Sequence, residues 1–209
     1  MKPHLPVLDS ERWTAGTVSM GVEILERMER AVMKVRERLL RATAALNGIG
    51  VPYAVVGGNA VASWVATVDE GAVRTTRDVD LLVRRADLEA ITAAMEAAGF
   101  VRDEVMDVVM FRDGPNGKPS EAVHLLFEGE KLRADHLLAM PAIETVDDPA
   151  DFRVIKLDSL MLMKLLSNRD KDKMHIRDMI GVGIVDETLL PKFQPPLSDR
   201  LKAILDTPE

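Results

Sequence analysis

The sequence predicts an α+β (mixed α/β) fold: a small mixed β-sheet with flanking helices, a long N-terminal helix and a helical C-terminal lobe. Three observations carry this. Apolar residues at helical spacing fill the stretch up to Leu46, short aliphatic runs alternate with glycine turns and helix-like segments in the middle, and the last part shows helical patterns only. The 209 residues suit one domain with a small appended lobe. The expected division is a poorly ordered leader over 1–19, a core with its N-terminal helix over 20–150, and the helical lobe over 151–209.

The leader, with two prolines and no period, offers no element. From there to Leu46 the positions Leu25, Met28, Val32, Val35, Leu39, Ala42 and Leu46 step by four and three alternately, one face of a long helix that Asn47-Gly48 stops. Its charges, Arg27, Arg30, Lys34, Arg36, Arg38 and Arg41 against Glu23, Glu26, Glu29 and Glu37, read as a solvated face, with an RNA-binding face as the alternative. The seam is expected to pack on the chain's own core, since only about three heptads repeat; a homodimer through this helix is the alternative.

Val51 to Val56 then reads as a strand, Gly57-Gly58-Asn59 as a turn, and Ala60 to Trp64 as the helix that follows. A polar stretch leads to Asp78-Val79-Asp80-Leu81-Leu82-Val83, whose aliphatic end marks a buried strand. Asp87 is expected to cap a helix from Leu88 to Ala98 that Gly99 closes. Met106–Arg112 and Ala122–Phe127 form a hairpin around Asp113-Gly114-Pro115-Asn116-Gly117. Past Asp147-Asp148-Pro149, Asp158 opens a helix to Ser167, a second runs from Asp172 to Ile180, and Ser198 caps a last short one.

Composition narrows the function. Hydrophobic residues at 47 % and charged residues at 29 % exclude a disordered or low-complexity chain. The net charge of −7 disfavours binding to nucleic acid or an anionic membrane by bulk electrostatics, though a local basic face stays open. Without cysteine there is no disulfide, thiolate zinc site or cysteine nucleophile. No signal-like or membrane-spanning segment is visible, so a cytoplasmic protein with no membrane partner is expected.

Chemistry concentrates at Asp78 and Asp80. Two apart on a strand, their carboxylates project from one face and make a site for a hard cation such as Mg²⁺ or Mn²⁺. An Asp-x-Asp alone is most often a solvent-exposed strand end, and it also occurs as the metal motif of sugar-nucleotide glycosyltransferases. The context weighs against the first, and a short chain without a second nucleotide-recognition segment weighs against the other. Gly57-Gly58 sits where backbone amides and a helix N-terminus favour phosphate, although a tight strand-to-helix turn explains the glycines by themselves.

Val55-Val56-Gly57-Gly58, then Arg74-x-Thr76-x-Asp78-x-Asp80 running into Leu81-Leu82-Val83, resembles the DNA polymerase beta-type nucleotidyltransferase superfamily. Met163-Lys164-Leu165, Arg169-Asp170-Lys171-Asp172 and His175-Ile176-Arg177-Asp178 are similar to the helical signature of AbiEii-like toxins, so the closest pattern is AbiEii-like. The resemblance spans residues 50 to 180. It implies metal-dependent transfer of a nucleoside monophosphate from an NTP to a hydroxyl on an RNA end such as tRNA, a protein or a small molecule, with pyrophosphate leaving; a toxin–antitoxin role comes with it.

On that pattern Asp78 and Asp80 bind metal, and Gly57, Gly58, Asn59, Arg74, Thr76, Lys164 and Arg169 bind the nucleotide. The sequence departs from the family twice. Gly58 stands where Ser is common, and His124 stands where the later strand has a third carboxylate, with Glu121, Glu128 and Asp135 nearby. His124 takes either the catalytic place or a structural one. The alternative function is a degenerate nucleotide- or partner-binding module of the same fold. Lys164, in a helix of Leu and Met, is either snorkelling or a phosphate ligand, and Lys171, Lys173 and Arg177 read as a solvated, ion-paired face.

Overall fold

A computed structural model describes residues 15–106, 108–131, 137–148 and 151–207. Residues 1–14, most of the expected leader, and Asp135 lie outside the described residues.

Seven strands form one mixed sheet. They are β1 (Tyr53–Val56), β2 (Val79–Val83), β3 (Val101–Val105), β4 (Val108–Arg112), β5 (Val123–Phe127), β6 (Thr145–Asp147) and β7 (Arg153–Ile155), in the order β3-β4-β5-β2-β1-β7-β6. At its centre β1 is antiparallel to β2, and β2 is parallel to β5. Central strands of short all-aliphatic sequence follow from burial on both faces: all four residues of β1 are buried, and in β2 only Asp80 is not.

Six α-helices surround the sheet: α1 (Ala15–Ile49), α2 (Gly57–Ala66), α3 (Leu88–Ala97), α4 (Leu157–Ser167), α5 (Asp170–Gly181) and α6 (Leu197–Leu205). The helix α1 begins five residues inside the expected leader. Its second half packs on the body through Leu39, Ala42 and Leu46, all buried, whereas Leu25, Met28 and Val32 are exposed. The seam therefore meets the chain's own core over half its length, not all of it. Helix α2 packs on β1, β2 and β7 and carries α4 and α5.

The hairpin expected around Asp113–Gly117 is present as β4 and β5. Capping differs. Asp87 occupies the N-cap of α3 without a side-chain cap bond, because a preceding 3-10 turn (Arg85–Asp87) already leads the chain in. Pro196, not Ser198, is the N-cap of α6. The helical lobe starts after β7, which belongs to the sheet beside β1, so the boundary near 150 cuts through a strand pair, β6 with β7.

Candidate active site

Two carboxylates and an imidazole meet on one face of the sheet. Asp80 lies in the parallel ladder directly beside His124 of β5, so the two side chains project to the same side, and His124 Nδ1 is 3.6 Å from Asp80 Oδ1. Asp78 ends the approach to β2. Asp78, Asp80 and His124 each offer a ligand atom, all within 4.8 Å of one another, and all three are half-buried.

Each aspartate is set by one of the glycines. Gly57 has φ +67°, a left-handed conformation that lets the chain turn from β1 into α2. A Cβ there would fall on Asp80 Oδ2, so only glycine leaves room for that carboxylate. At Gly58 a Cβ would come within 2.9 Å of Thr76 Cβ. Thr76 in turn donates its hydroxyl to Asp78 Oδ1 at 2.5 Å, and Asn59 Nδ2 donates to the Asp78 carbonyl at 2.8 Å. Gly58, Asn59 and Thr76 thus stand behind the acids and hold them. On α1 the buried Arg38 donates to the Arg77 carbonyl at 3.1 Å, fixing the residue before Asp78.

The electrostatics match this geometry. Burial pushes the Asp78 carboxyl up, yet the Thr76 hydroxyl, backbone bonding and the charges of Lys171 and His124 hold it below its usual value. The Asp80 carboxylate beside His124 raises the imidazole's pKa, against the opposing effect of burial, and Asp78 adds to the rise.

Across the cleft stands a second wall, made by α4 and α5. A cavity of about 320 Å³ lies between the two, lined by Gly57, Asp78, Asp80 and His124 on one side and by Lys164, Ser167, Arg169, Lys171 and Asp172 on the other. The chain turns at Asn168, φ +50°, between the helices, and this folds Asp172 under Lys164. Asp172 is fully buried and takes Lys164 Nζ at 3.1 Å and Arg169 Nε at 2.7 Å. Burial pushes its carboxyl up, but the Arg169 bond and both cations win and hold it at about 2.

Lys164 moves the other way from the pair's attraction: burial lowers its pKa more than Asp172 raises it. Lys164 Nζ also lies 2.9 Å from His175 Nδ1. Burial and the Lys164 charge depress His175 to about 4, which keeps its ring neutral and able to accept from the ammonium.

Of the residues singled out in the sequence, Asp78, Asp80, His124, Gly57, Lys164 and Arg169 line one cleft. Arg74 points elsewhere, to Asp178 Oδ1 at 2.8 Å, with its side chain 61 % exposed. Glu128 takes Arg84 at 3.0 Å and Glu121 reaches Arg38 at 4.0 Å, so neither fills the third-acid position beside Asp80. Sequence reasoning missed Asp172 as the organising group and Ser167 and Lys171 as lining. A signal existed: Asp172, Ile176 and Met179 fall at i, i+4 and i+7, one helix face, and all three are buried.

No protein-family model and no curated protein sequence matches the chain. Among solved structures, a solution structure of the antibiotic-resistance factor ANT(2'')-Ia matches with a TM-score of 0.53 at 14 % identity, over 85 % of this chain and 93 % of that one. The crystal structure of ANT(2'')-Ia in complex with adenylyl-2''-tobramycin matches with a TM-score of 0.53 at 16 % identity, over 82 % and 98 %. The chain has a nucleotidyltransferase fold. At these identities the likeness speaks for the fold, and the site must speak for the chemistry. Among the described residues no helix is long and apolar enough to cross a membrane.

Proposed function

We propose that the chain is a metal-dependent nucleotidyltransferase that moves a nucleoside monophosphate from an NTP to a hydroxyl acceptor with release of pyrophosphate. The observation that carries this reading is the convergence of Asp78, Asp80 and His124 within 4.8 Å, opposite Lys164, Arg169 and Lys171 across one cleft. The nucleotidyltransferase fold and the adenylylated product held by ANT(2'')-Ia support it. So does the glycine at 57, whose missing Cβ serves the Asp80 carboxylate.

The donor set fits a divalent cation. Asp78 and Asp80 supply hard oxygens and His124 a nitrogen, a set that accepts Mn²⁺ as well as Mg²⁺. Such an ion supplies charge stabilisation for phosphoryl transfer when bound. The chain's own residues do the rest. The backbone amides opening α2 at Gly57, Gly58 and Asn59, with no side-chain cap, offer donors to phosphate oxygens. Arg169 and Lys171 line the same cavity as the acids, and their positive charge suits a triphosphate. Lys164, paired with Asp172, lines the same cavity and brings a buried cation to it. Thr76 and Asn59 orient Asp78. Arg74 is held by Asp178, and a place for it beside the triphosphate requires it to leave that carboxylate.

The acceptor class, an RNA end, a protein or a small molecule, together with the AbiEii-like, toxin-related and cytoplasmic assignments, belongs to this proposal as its finer part. A second reading rests on His124: a histidine where a third acid is expected favours a module that binds nucleotide without turnover. Incubation with each α-phosphate-labelled NTP, Mg²⁺ or Mn²⁺, and RNA, protein or small hydroxyl compounds separates the two. Label transfer that disappears in Asp78→Asn/Asp80→Asn supports the transferase; nucleotide binding without transfer to any acceptor class supports the module.

A further inference from the structure

Beyond His124 the site face of the sheet turns apolar. Paired residues of neighbouring strands project to one side, so the sheet can be followed in rows. One row carries the chemistry: Val56 pairs with Asp80, Asp80 with His124 and His124 with Met110. The next row, two residues along each strand, carries no polar side chain. There Ala54 pairs with Leu82 and Leu82 with Leu126, and Val108, which pairs with Val105, falls beside Leu126 in the β4–β5 register.

Val108 and Leu126 line the cleft together with Met140 and, from α4, Leu160 and Met163. Val105 is 48 % exposed and Met106, in the turn beside it, 93 %, so apolar surface continues from this recess to solvent. The charged residues on the same face of the outer strands are Asp103, the partner of Met110, and Arg112, and they bind one another at 3.1 Å. The cations that line the cavity, Lys164, Arg169 and Lys171, all belong to the helical wall.

The direction of the reaction assigns the recess. Phosphoryl transfer runs in line, with the attacking and leaving oxygens on opposite sides of the phosphorus. In the transferase reading above, on which this inference rests, the triphosphate lies at the opening of α2, on the β1 side of Asp80, and the reacting phosphate lies at the acids. Pyrophosphate then leaves on the β1 side. The attacking hydroxyl comes from the β5 side, past His124, where the apolar recess opens.

We propose that the acceptor is a small uncharged alcohol or phenol with an apolar body of one or two rings, held on Val108, Leu126, Met140 and Met163 with its hydroxyl beside His124. Its oxygen forms the bond to the α-phosphorus, the bond from that phosphorus to the bridging oxygen breaks, pyrophosphate leaves with the electron pair, and the hydroxyl proton passes to water. An RNA end brings phosphates to this side and an amino sugar brings cations, and the recess offers neither an opposite charge. The cavity, about 320 Å³ in all, is of small-molecule size.

Methionine-methyl NMR tests the placement, with Met140→Leu and Met163→Leu to assign the signals. With Mg²⁺ and a non-hydrolysable NTP analogue already bound, 2-phenylethanol or 2-naphthol is expected to shift the Met140 and Met163 methyls. Transfer from α-phosphate-labelled NTP is run beside it, to the same two compounds, a neutral disaccharide, a polycationic amino sugar, a protein and an RNA with a free 3′ hydroxyl. The ring compounds are expected to lead by roughly tenfold or more in kcat/KM.

Val108→Asp, checked for folding by circular dichroism, should lower that value by roughly tenfold or more while NTP binding stays within about twofold of wild type. Met163→Ala, which enlarges the recess, should move the preference from one ring toward two. Faster transfer to any other acceptor, or methyl shifts produced by the nucleotide and by neither ring compound, overturns the acceptor assignment and leaves the transferase standing. A folded wild type that binds no nucleotide removes the transferase reading itself, and the assignment with it.

Discussion

The two walls of the cleft treat charge in opposite ways. On the sheet wall, Asp78 and Asp80 sit half-buried beside one imidazole, and the cations that line the same cavity, Lys164, Arg169 and Lys171, belong to the helical wall. On the helical wall, Asp172 is buried completely and is answered at short range by Lys164 and Arg169. Charge that is paired at close range organises a fold. Charge that is converged and left facing a cavity costs stability and is kept for a ligand. The histidines carry the same contrast: His124 is raised by its acid neighbours, and His175 is depressed by burial and Lys164.

The sharpest way to break this comparison is to exchange the roles by mutation. Asp78→Asn/Asp80→Asn should cut nucleotidyl transfer by roughly 10³-fold or more while leaving thermal stability close to wild type, because charge aimed at the reacting phosphate is the largest catalytic contribution. Asp172→Asn should do the reverse in kind. It strands the Lys164 ammonium in a buried site, and stability measured by urea unfolding should fall by about 3–5 kcal/mol. A stable Asp172→Asn variant, or an unstable double-Asn variant, would erase the distinction between the walls.

Gly57→Ala joins the two effects. Its left-handed backbone should cost about 1–2 kcal/mol, and the added methyl displaces the Asp80 carboxylate, so transfer should fall more than stability does. Thr76→Val is the gentlest of the set. It removes one hydrogen bond to Asp78, about 1 kcal/mol, and should show as weaker metal binding before any change in melting.

Acid sharpens the comparison without mutation. His175, at about 4 when folded against 6.5 unfolded, and Asp172, at about 2 against 3.8, are both depressed. Each therefore contributes stability that is complete above its unfolded value. The His175 part is lost as pH falls from 6.5 toward 4, and the Asp172 part as it falls on toward 2. His124 has the opposite sign. Its contribution is present below 6.5 and lost as pH rises through its raised folded value. Urea unfolding across pH should show His175→Gln flattening the slope between 6.5 and 4 only, and histidine NMR titration should place the two rings on opposite sides of 6.5.

Much of the sheet wall was legible in the sequence, and little of the helical wall was. Asp78 and Asp80 announce themselves because strand period puts alternate residues on one face, and the glycines because a turn into a helix needs them. The role of the glycines was read less well: they serve the carboxylates through Asp80 and Thr76 before any phosphate arrives. Asp172 was hidden among alternating charges from Arg169 to Asp178, where the local pattern looks solvated. Its burial depends on the αL turn at Asn168 and on packing between α4 and α5, neither of which a local pattern shows.

The edges of the sheet were hidden for a related reason. Val101–Val105 is a polar outer strand with Arg102, Asp103 and Glu104 at its centre, and β6 and β7 are three residues each, too short to show a period.

Titration calorimetry of Mn²⁺ with a non-hydrolysable NTP analogue, on the wild type and on Asp78→Asn/Asp80→Asn, tests the central claim most directly. The account predicts metal-dependent nucleotide binding by the wild type and its loss in a double variant that melts like the wild type. Equal binding by both proteins, or no binding by a folded wild type, would contradict it.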